Sequence, residues 1–194
     1  MPEIIVPATV KGLIFDCDGT LADTHFLHQE AWDETLAAYG ETSPPHFLDA
    51  YKGVPTWRIL EIYNERFGTR LPVAAVAGDK ERRVTDRLKR SPVIEPVAAV
   101  ARRYKGVLPM AVASGGVGVN VRTTLRAIGM EGFFDAVLTA DDVERGKPFP
   151  DIFLEAARRL GVAPADCMVL EDSELGVEAA HRAGMRAVNV CEMG

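Results

Sequence analysis

Asp16 and Asp18 stand one residue apart, with Gly19 and Thr20 after them, directly following the apolar run Gly12-Leu-Ile-Phe15. Two acids this close, where a strand gives way to a loop, are costly unless something cationic binds there. Three further polar groups follow other runs in the chain: Ser114, then Lys147, then Glu171-Asp172. Oxygen-only acidic clusters suit Mg2+, which prefers octahedral oxygen ligands and keeps water or substrate phosphate in its shell. An aspartate at such a site can attack phosphorus and form an aspartyl-phosphate. A metal and a lysine offset the repulsion between that carboxylate and an incoming phosphate. A second acid two residues on can protonate the leaving oxygen and then deprotonate the attacking water. Gly19 leaves backbone N–H groups free to approach phosphoryl oxygens.

These residues share a site only if the elements before them share a sheet edge. Gly12–Phe15 reads as a buried strand, because a short apolar run bounded by a turn signal suits one. Leu108–Ala113, Ala136–Leu138, Met168–Leu170 and Ala187–Val190 read the same way. Between them lie helical stretches at about 117–128, 150–160 and 174–183, stopped by Gly129, Gly161 and Gly184. Strand alternating with helix implies βαβ units and a parallel sheet. Ligands of such sheets bind at the carboxyl ends of strands. Residues 22–90 interrupt the alternation with helical patterns only: Thr24–Tyr39, Phe47–Tyr51, Trp57–Phe67 and Val73–Leu88. Asp23 or Thr24 can cap the first of these. The expected fold is therefore α/β: a doubly wound, Rossmann-like parallel-sheet core over 1–20 and 92–194. A small α-helical cap over 21–91 is inserted after the first strand.

Composition narrows the partners. The chain has 194 residues, 47% hydrophobic and 26% charged, with a formal net charge of −6. That balance describes an ordinary globular protein and argues against nucleic-acid or membrane binding, which use basic faces. Cys17, Cys167 and Cys191 show neither a disulfide framework nor metal-ligand spacing, which fits a reducing, cytoplasmic compartment. The N-terminus lacks a basic region followed by a long apolar one, so no signal peptide is expected. No apolar run approaches the roughly 18 residues of a membrane span, and no feature demands an oligomer, so a monomer is expected.

Singly, each polar group has a plainer reading. Asp-x-Asp is ordinarily a turn or cap, Ser-Gly-Gly a βα turn, Lys147 a surface lysine and Glu171-Asp172 a helix-start pair. The combination, in order and at strand ends, is what carries chemistry. Asp16-Cys-Asp18-Gly19-Thr20, Ser114, Lys147-Pro148 and Glu171-Asp172-Ser173 resemble the four signature motifs of the haloacid dehalogenase (HAD) superfamily. Lys147-Pro-Phe-Pro-Asp151-Ile-Phe and Leu170-Glu-Asp-Ser173 resemble its β-phosphoglucomutase-like branch. Pro55-Thr-Trp-Arg58-Ile and the short length resemble the small bacterial phosphatases of fructose 1-phosphate and 6-phosphogluconate.

That resemblance implies a Mg2+-dependent phosphatase of small sugar phosphates. It makes Asp16 the nucleophile and a metal ligand. It makes Asp18 the acid/base, lending its backbone carbonyl to the metal. Asp172 completes the metal site, with Glu171 a ligand directly or through water. Ser114 and Lys147 hold the phosphoryl group, with Gly19, Thr20 and Gly115 beside it. In the mutase, polar and basic side chains follow the motif serine, whereas here Gly115-Gly116-Val117-Gly118 offers none, which favours transfer to water. His28 and Lys52 fall where the mutase has cap-side residues of those two types, so a phosphoryl-transfer isomerase stays open. From the cap, Lys52 or Arg58 is placed to grip the non-reacting end of a substrate, and His28 to make a catalytic or gating contact. Trp32 and Trp57 read as packing residues, and His25, His46 and His181 have no arguable partner. The expected hinges are Leu21–Asp23 and Lys89–Pro92.

Two other classes compete. A nicotinamide enzyme is suggested by Gly115-Gly116-x-Gly118, but Val121 stands where the last Gly or Ala belongs. A receiver-like phospho-aspartate signalling module would use the same chemistry, but it is shorter and has no helical insertion.

Overall fold

The computed structural model describes residues 4–193. Among them, five strands form one parallel sheet in the order β3-β2-β1-β4-β5. The strands are β1 (Gly12–Phe15), β2 (Met110–Ala113), β3 (Ala136–Leu138), β4 (Cys167–Glu171) and β5 (Arg186–Asn189). Four helices lie between β1 and β2: α1 (His25–Ala38), α2 (Thr56–Phe67), α3 (Val73–Leu88) and α4 (Glu95–Tyr104). The others are α5 (Gly118–Ala127), α6 (Asp151–Leu160) and α7 (Glu174–Arg182).

β1 is central and fully buried, and its alternating side chains feed two cores. Leu13 and Phe15 pack with Val97 and Ala101 of α4 and with Val121 and Leu125 of α5. Ile14 faces the other way, onto Phe153 and Ala156 of α6 and Ala179 and Ala180 of α7. A strand buried on both faces must be apolar at every position, which is why it reads as a continuous run. Cys17 lies in the first core, away from the two aspartates that flank it.

The cap helices have a core of their own. Trp32 and Leu36 of α1 meet Ile59, Leu60 and Tyr63 of α2 and Val76 of α3, while Leu27 and Ala31 meet Val84 and Leu88. The chain leaves the sheet and returns to it side by side. Asp23 N–H donates to Pro92 C=O and Ile94 N–H to Leu21 C=O, each at 2.9 Å.

Several expectations need correction. The α4 helix has no counterpart in the strand and helix pattern read from the sequence. Its first turn carries Pro96, and Val97, Val100 and Ala101 are its inward stripe. Residues 47–51 form only a 3-10 turn over Leu48–Tyr51. Thr24 occupies the N-cap of α1 without capping it, because its hydroxyl donates to Asp18 Oδ1 at 2.7 Å instead. Strand ends shift by one or two residues, and β5 spans Arg186–Asn189 rather than Ala187–Val190.

Candidate active site

The sheet reverses its direction of winding between β1 and β4, and both strands end in acids at their carboxyl edge. Phe15 pairs with Leu170 in register, which sets Asp16 beside Glu171. Asp16, Glu171 and Asp172 are buried, with a carboxylate oxygen from each lying within 4.8 Å of the others. Among the described residues, one ammonium answers Asp16 and Glu171. Lys147, its side chain 1% exposed, reaches from the loop after β3 and donates to Asp16 Oδ1 and Glu171 Oε2, each at 2.6 Å. Its Nζ also sits 5.2 Å above the Phe153 ring.

Glu171 is held by the start of α7. Its Oε1 accepts from the backbone N–H of Asp172 and Ser173 and from the Ser173 hydroxyl at 2.8 Å. Ser173 in turn caps the helix, accepting from Gly176 N–H at 3.0 Å. A Cβ on Gly176 would lie 2.1 Å from Glu171 Cδ, so glycine is required for the carboxylate to tuck under the helix. The unpaired N–H groups of a helix start favour such an anion.

Charge is crowded here. Burial and then the Glu171 carboxylate push the Asp16 carboxyl well above its ordinary range, against the pull of Lys147. Burial alone would depress Lys147, but Asp16 and Glu171 outweigh it and hold the ammonium above the usual lysine range. Three carboxylates against one ammonium leave negative charge uncompensated. This all-oxygen, buried donor set could hold a hard divalent cation, which would relieve the excess.

Asp18 differs from Asp16. Burial would raise it, but the His28 ring and the Thr24 hydroxyl lower it below the ordinary carboxylate range. His28 Nε2 is 3.5 Å from Asp18 Oδ1, which is proximity rather than a formed hydrogen bond. Burial and then the nearby Lys80 ammonium depress His28 itself.

A cavity of about 300 Å³ opens over these groups, roofed by the cap. Ser114, Gly115, Lys52 and His28 line it with Asp16, Asp18, Glu171 and Asp172. Lys147 lies just beneath, and Thr20 donates to Asp172 Oδ1 across a long 3.4 Å. Arg58 does not line the cavity; it turns outward onto Glu61 at 2.7 Å. Trp57 is a correction: it is half exposed at the cavity rather than packed.

The cap and core touch at glycines. A Cβ on Gly115 would come 2.3 Å from Gly53 C=O. Gly115→Ala should therefore hold the cap open. We expect kcat/KM to fall by roughly ten- to a hundredfold, the scale of a small misplacement in a catalytic site. Thermal unfolding should be nearly unchanged, and steady-state kinetics with a melting curve check both.

Three residues on the cavity escaped the sequence reading. His25 Nε2 lies 2.7 Å from Asp172 Oδ2. Lys80 and Glu81 enter from α3, where Lys80 occupies the buried stripe Val76, Lys80, Val84, Leu88. A lysine at a core position of an amphipathic helix was the available signal. His46 also has a partner, Asp49 at 3.0 Å, but on the surface.

Residues 10–184 match the family profile of haloacid dehalogenase-like hydrolases. The chain is 41% identical over 179 residues to the fructose-1-phosphate phosphatase YqaB of Escherichia coli, covering 92% of this chain and 95% of that one. It is 27% identical to the 6-phosphogluconate phosphatase of Escherichia coli, covering 94% and 83%. The crystal structure of CbbY from Rhodobacter sphaeroides in complex with phosphate superposes with a TM-score of 0.81 at 28% identity, covering 92% and 84%.

Proposed function

The chain belongs to the haloacid dehalogenase-like hydrolases and is a phosphatase of phosphorylated sugars; on that premise, we propose that it is a Mg2+-dependent hydrolase of small sugar monophosphates acting through Asp16. The observation that carries this reading is the buried carboxylate triad answered by the single Lys147 at the edge of β1 and β4. Residues 21–91 are taken as the cap that closes over the substrate.

Asp16, Glu171 and Asp172 would hold the metal, with the Asp18 backbone carbonyl. When bound, Mg2+ offsets charge on the phosphoryl group and on the carboxylates around it. Lys147 and Ser114 orient that group, and Lys147 keeps one Asp16 oxygen fixed. An Asp16 oxygen attacks phosphorus, the ester P–O bond breaks, and the leaving oxygen takes the proton of Asp18. Asp18, now a carboxylate, takes a proton from water. The water oxygen attacks phosphorus, the Asp16–phosphorus bond breaks, and inorganic phosphate leaves. The His28 ring and the Thr24 hydroxyl favour the base form of Asp18. The negative phosphoryl group entering beside it raises its proton affinity for the first step.

The glycine run after Ser114 favours water as the final acceptor. A phosphate-release assay over sugar phosphates tests the reading. Release should require Mg2+, fall more than about a hundredfold in excess chelator, and return when Mg2+ is restored. Conversion of β-glucose 1-phosphate to its 6-phosphate without phosphate release would favour the mutase. Release unaffected by the chelator would overturn the metal assignment.

A further inference from the structure

Away from Asp16, the cavity is closed by α3, and two charged residues face each other there. Lys80 is buried, with Nζ 3.0 Å from His28 Nδ1, 3.0 Å from Glu81 Oε1 and 5.7 Å above the Trp32 ring. Glu81 also accepts from the Thr56 hydroxyl and from the Asn120 side-chain amide of α5. Asn120 is oriented for this by Thr85, whose hydroxyl donates to its Oδ1 at 2.6 Å. The Glu81 carboxylate is thus built into the cavity wall by donors from α2, α3 and α5. Burial opposes its ionisation, but Lys80 and Thr56 outweigh burial and hold it below the usual carboxylate range.

Among the described residues lining the cavity, the cations at this end are paired or turned elsewhere. Lys80 is neutralised by Glu81. His28 turns its Nδ1 to the Lys80 ammonium at 3.0 Å and accepts from it. Arg58 points outward onto Glu61. Lys52 lies towards the acidic edge: its charge acts on Cys191 together with those of Asp172 and Glu171, and the adjoining Gly53 abuts Gly115. A second carboxylate, Asp141, also lines the cavity and accepts from Gly118 N–H at 2.9 Å. Lys80 and Glu81 form a pair that is neutral as a whole, so an anionic substrate end would gain no net attraction from them and would meet the Asp141 carboxylate, whereas removing the Glu81 charge would leave the Lys80 ammonium uncompensated. A hydroxyl would find acceptors, since a carboxylate offers about four lone-pair sites and Glu81 has three donors in place.

We propose that Glu81 sets substrate choice, so that the far end of the cavity takes a neutral, hydroxyl-bearing sugar and rejects one ending in a carboxylate or a second phosphate. This deepens the phosphatase reading above and rests on it. The test compares glucitol 6-phosphate with 6-phosphogluconate, which differ only in a hydroxymethyl against a carboxylate at the end remote from phosphate. Wild-type kcat/KM should favour glucitol 6-phosphate by on the order of tenfold or more, the scale at which a site with buried polar groups discriminates. Glu81→Gln, which keeps the shape and removes the charge, should shrink that ratio about tenfold, chiefly by raising kcat/KM for 6-phosphogluconate.

A wild-type ratio at or below one overturns the proposal, and that measurement needs no variant to fold. A Glu81→Gln variant that slows both esters equally overturns it too, leaving Glu81 as a strut between cap and core. Release from neither ester overturns the sugar-phosphatase reading, and this proposal with it.

Discussion

Asp16→Asn is expected to cut phosphate release at least about a thousandfold while leaving the protein folded. The amide is close in shape to the carboxylate but cannot form the acyl phosphate. Every other group would stay in place: Lys147 keeps Glu171 at 2.6 Å, and the Glu171 hydrogen bonds to the start of α7 do not involve residue 16. Stability should hold or rise. The substitution removes one of three crowded carboxylates, and burial together with Glu171 already disfavours charge on Asp16. Mg2+ affinity should fall, because a charged ligand becomes neutral. Steady-state assays and intact-mass detection of the phosphorylated protein read the two halves of the prediction. A variant that keeps more than a few per cent of the rate, or still gains a phosphoryl group on the same peptide, would show that another residue attacks.

Lys147→Met should be the most damaging single change to both stability and turnover. The side chain is 1% exposed and supplies the only cation bonded to Asp16 and Glu171 among the described residues. Methionine matches its length and packing but leaves two buried carboxylates facing each other. Breaking a buried pair by removing one partner costs roughly 3–5 kcal/mol, and turnover should be lost with the oriented phosphoryl group. The expected loss depends on pH in a defined direction. Lys147 pulls the Asp16 carboxyl down, so its removal lifts that group further above its unfolded value of 3.8. An acid raised on folding binds its proton preferentially in the native state. The variant should therefore recover stability as pH falls from neutrality towards that unfolded value, and lose it as pH rises. Mg2+ should also recover part of it, since an ion that binds only the folded state stabilises by mass action. Urea unfolding at several pH values, with and without Mg2+, tests this. A midpoint equal to wild type at neutral pH would show that Lys147 does not neutralise the acids in the folded protein.

The arrangement of these residues was legible before any coordinates because it depends on short-range rules. A doubly buried strand must be an uninterrupted apolar run, and Gly12–Phe15 is one. A parallel sheet sends every strand's carboxyl end to one edge, so polar groups that follow such runs converge. From those two rules Asp16, Ser114, Lys147 and Glu171-Asp172 fall together although well over a hundred residues separate the first from the last. The helical block without strands could be read as an insertion for the same reason: the two-residue and 3.6-residue periods are local properties.

Tertiary structure alone decided the partners of individual side chains. Lys52 and Arg58 are both basic and both near the Gly53-Val54-Pro55 turn, yet one lines the cavity and the other binds Glu61 on the surface. Which way each points depends on how the turn before α2, and α2 itself, pack against the rest of the fold, and no local pattern encodes that. His25 meets an acid 147 positions away, a contact that exists only because the cap folds over the core. Lys80 was the intermediate case. Its place on the apolar stripe of α3 was visible, but its meaning required His28 and Asn120 to arrive from two other places in the chain, beside its neighbour Glu81. The sequence by itself determined the sheet, its acidic edge and the chemistry the edge can support. The structure determined which charges are neutralised across the cavity, because pairing energies depend on distance and burial, and both are properties of packing rather than of order along the chain.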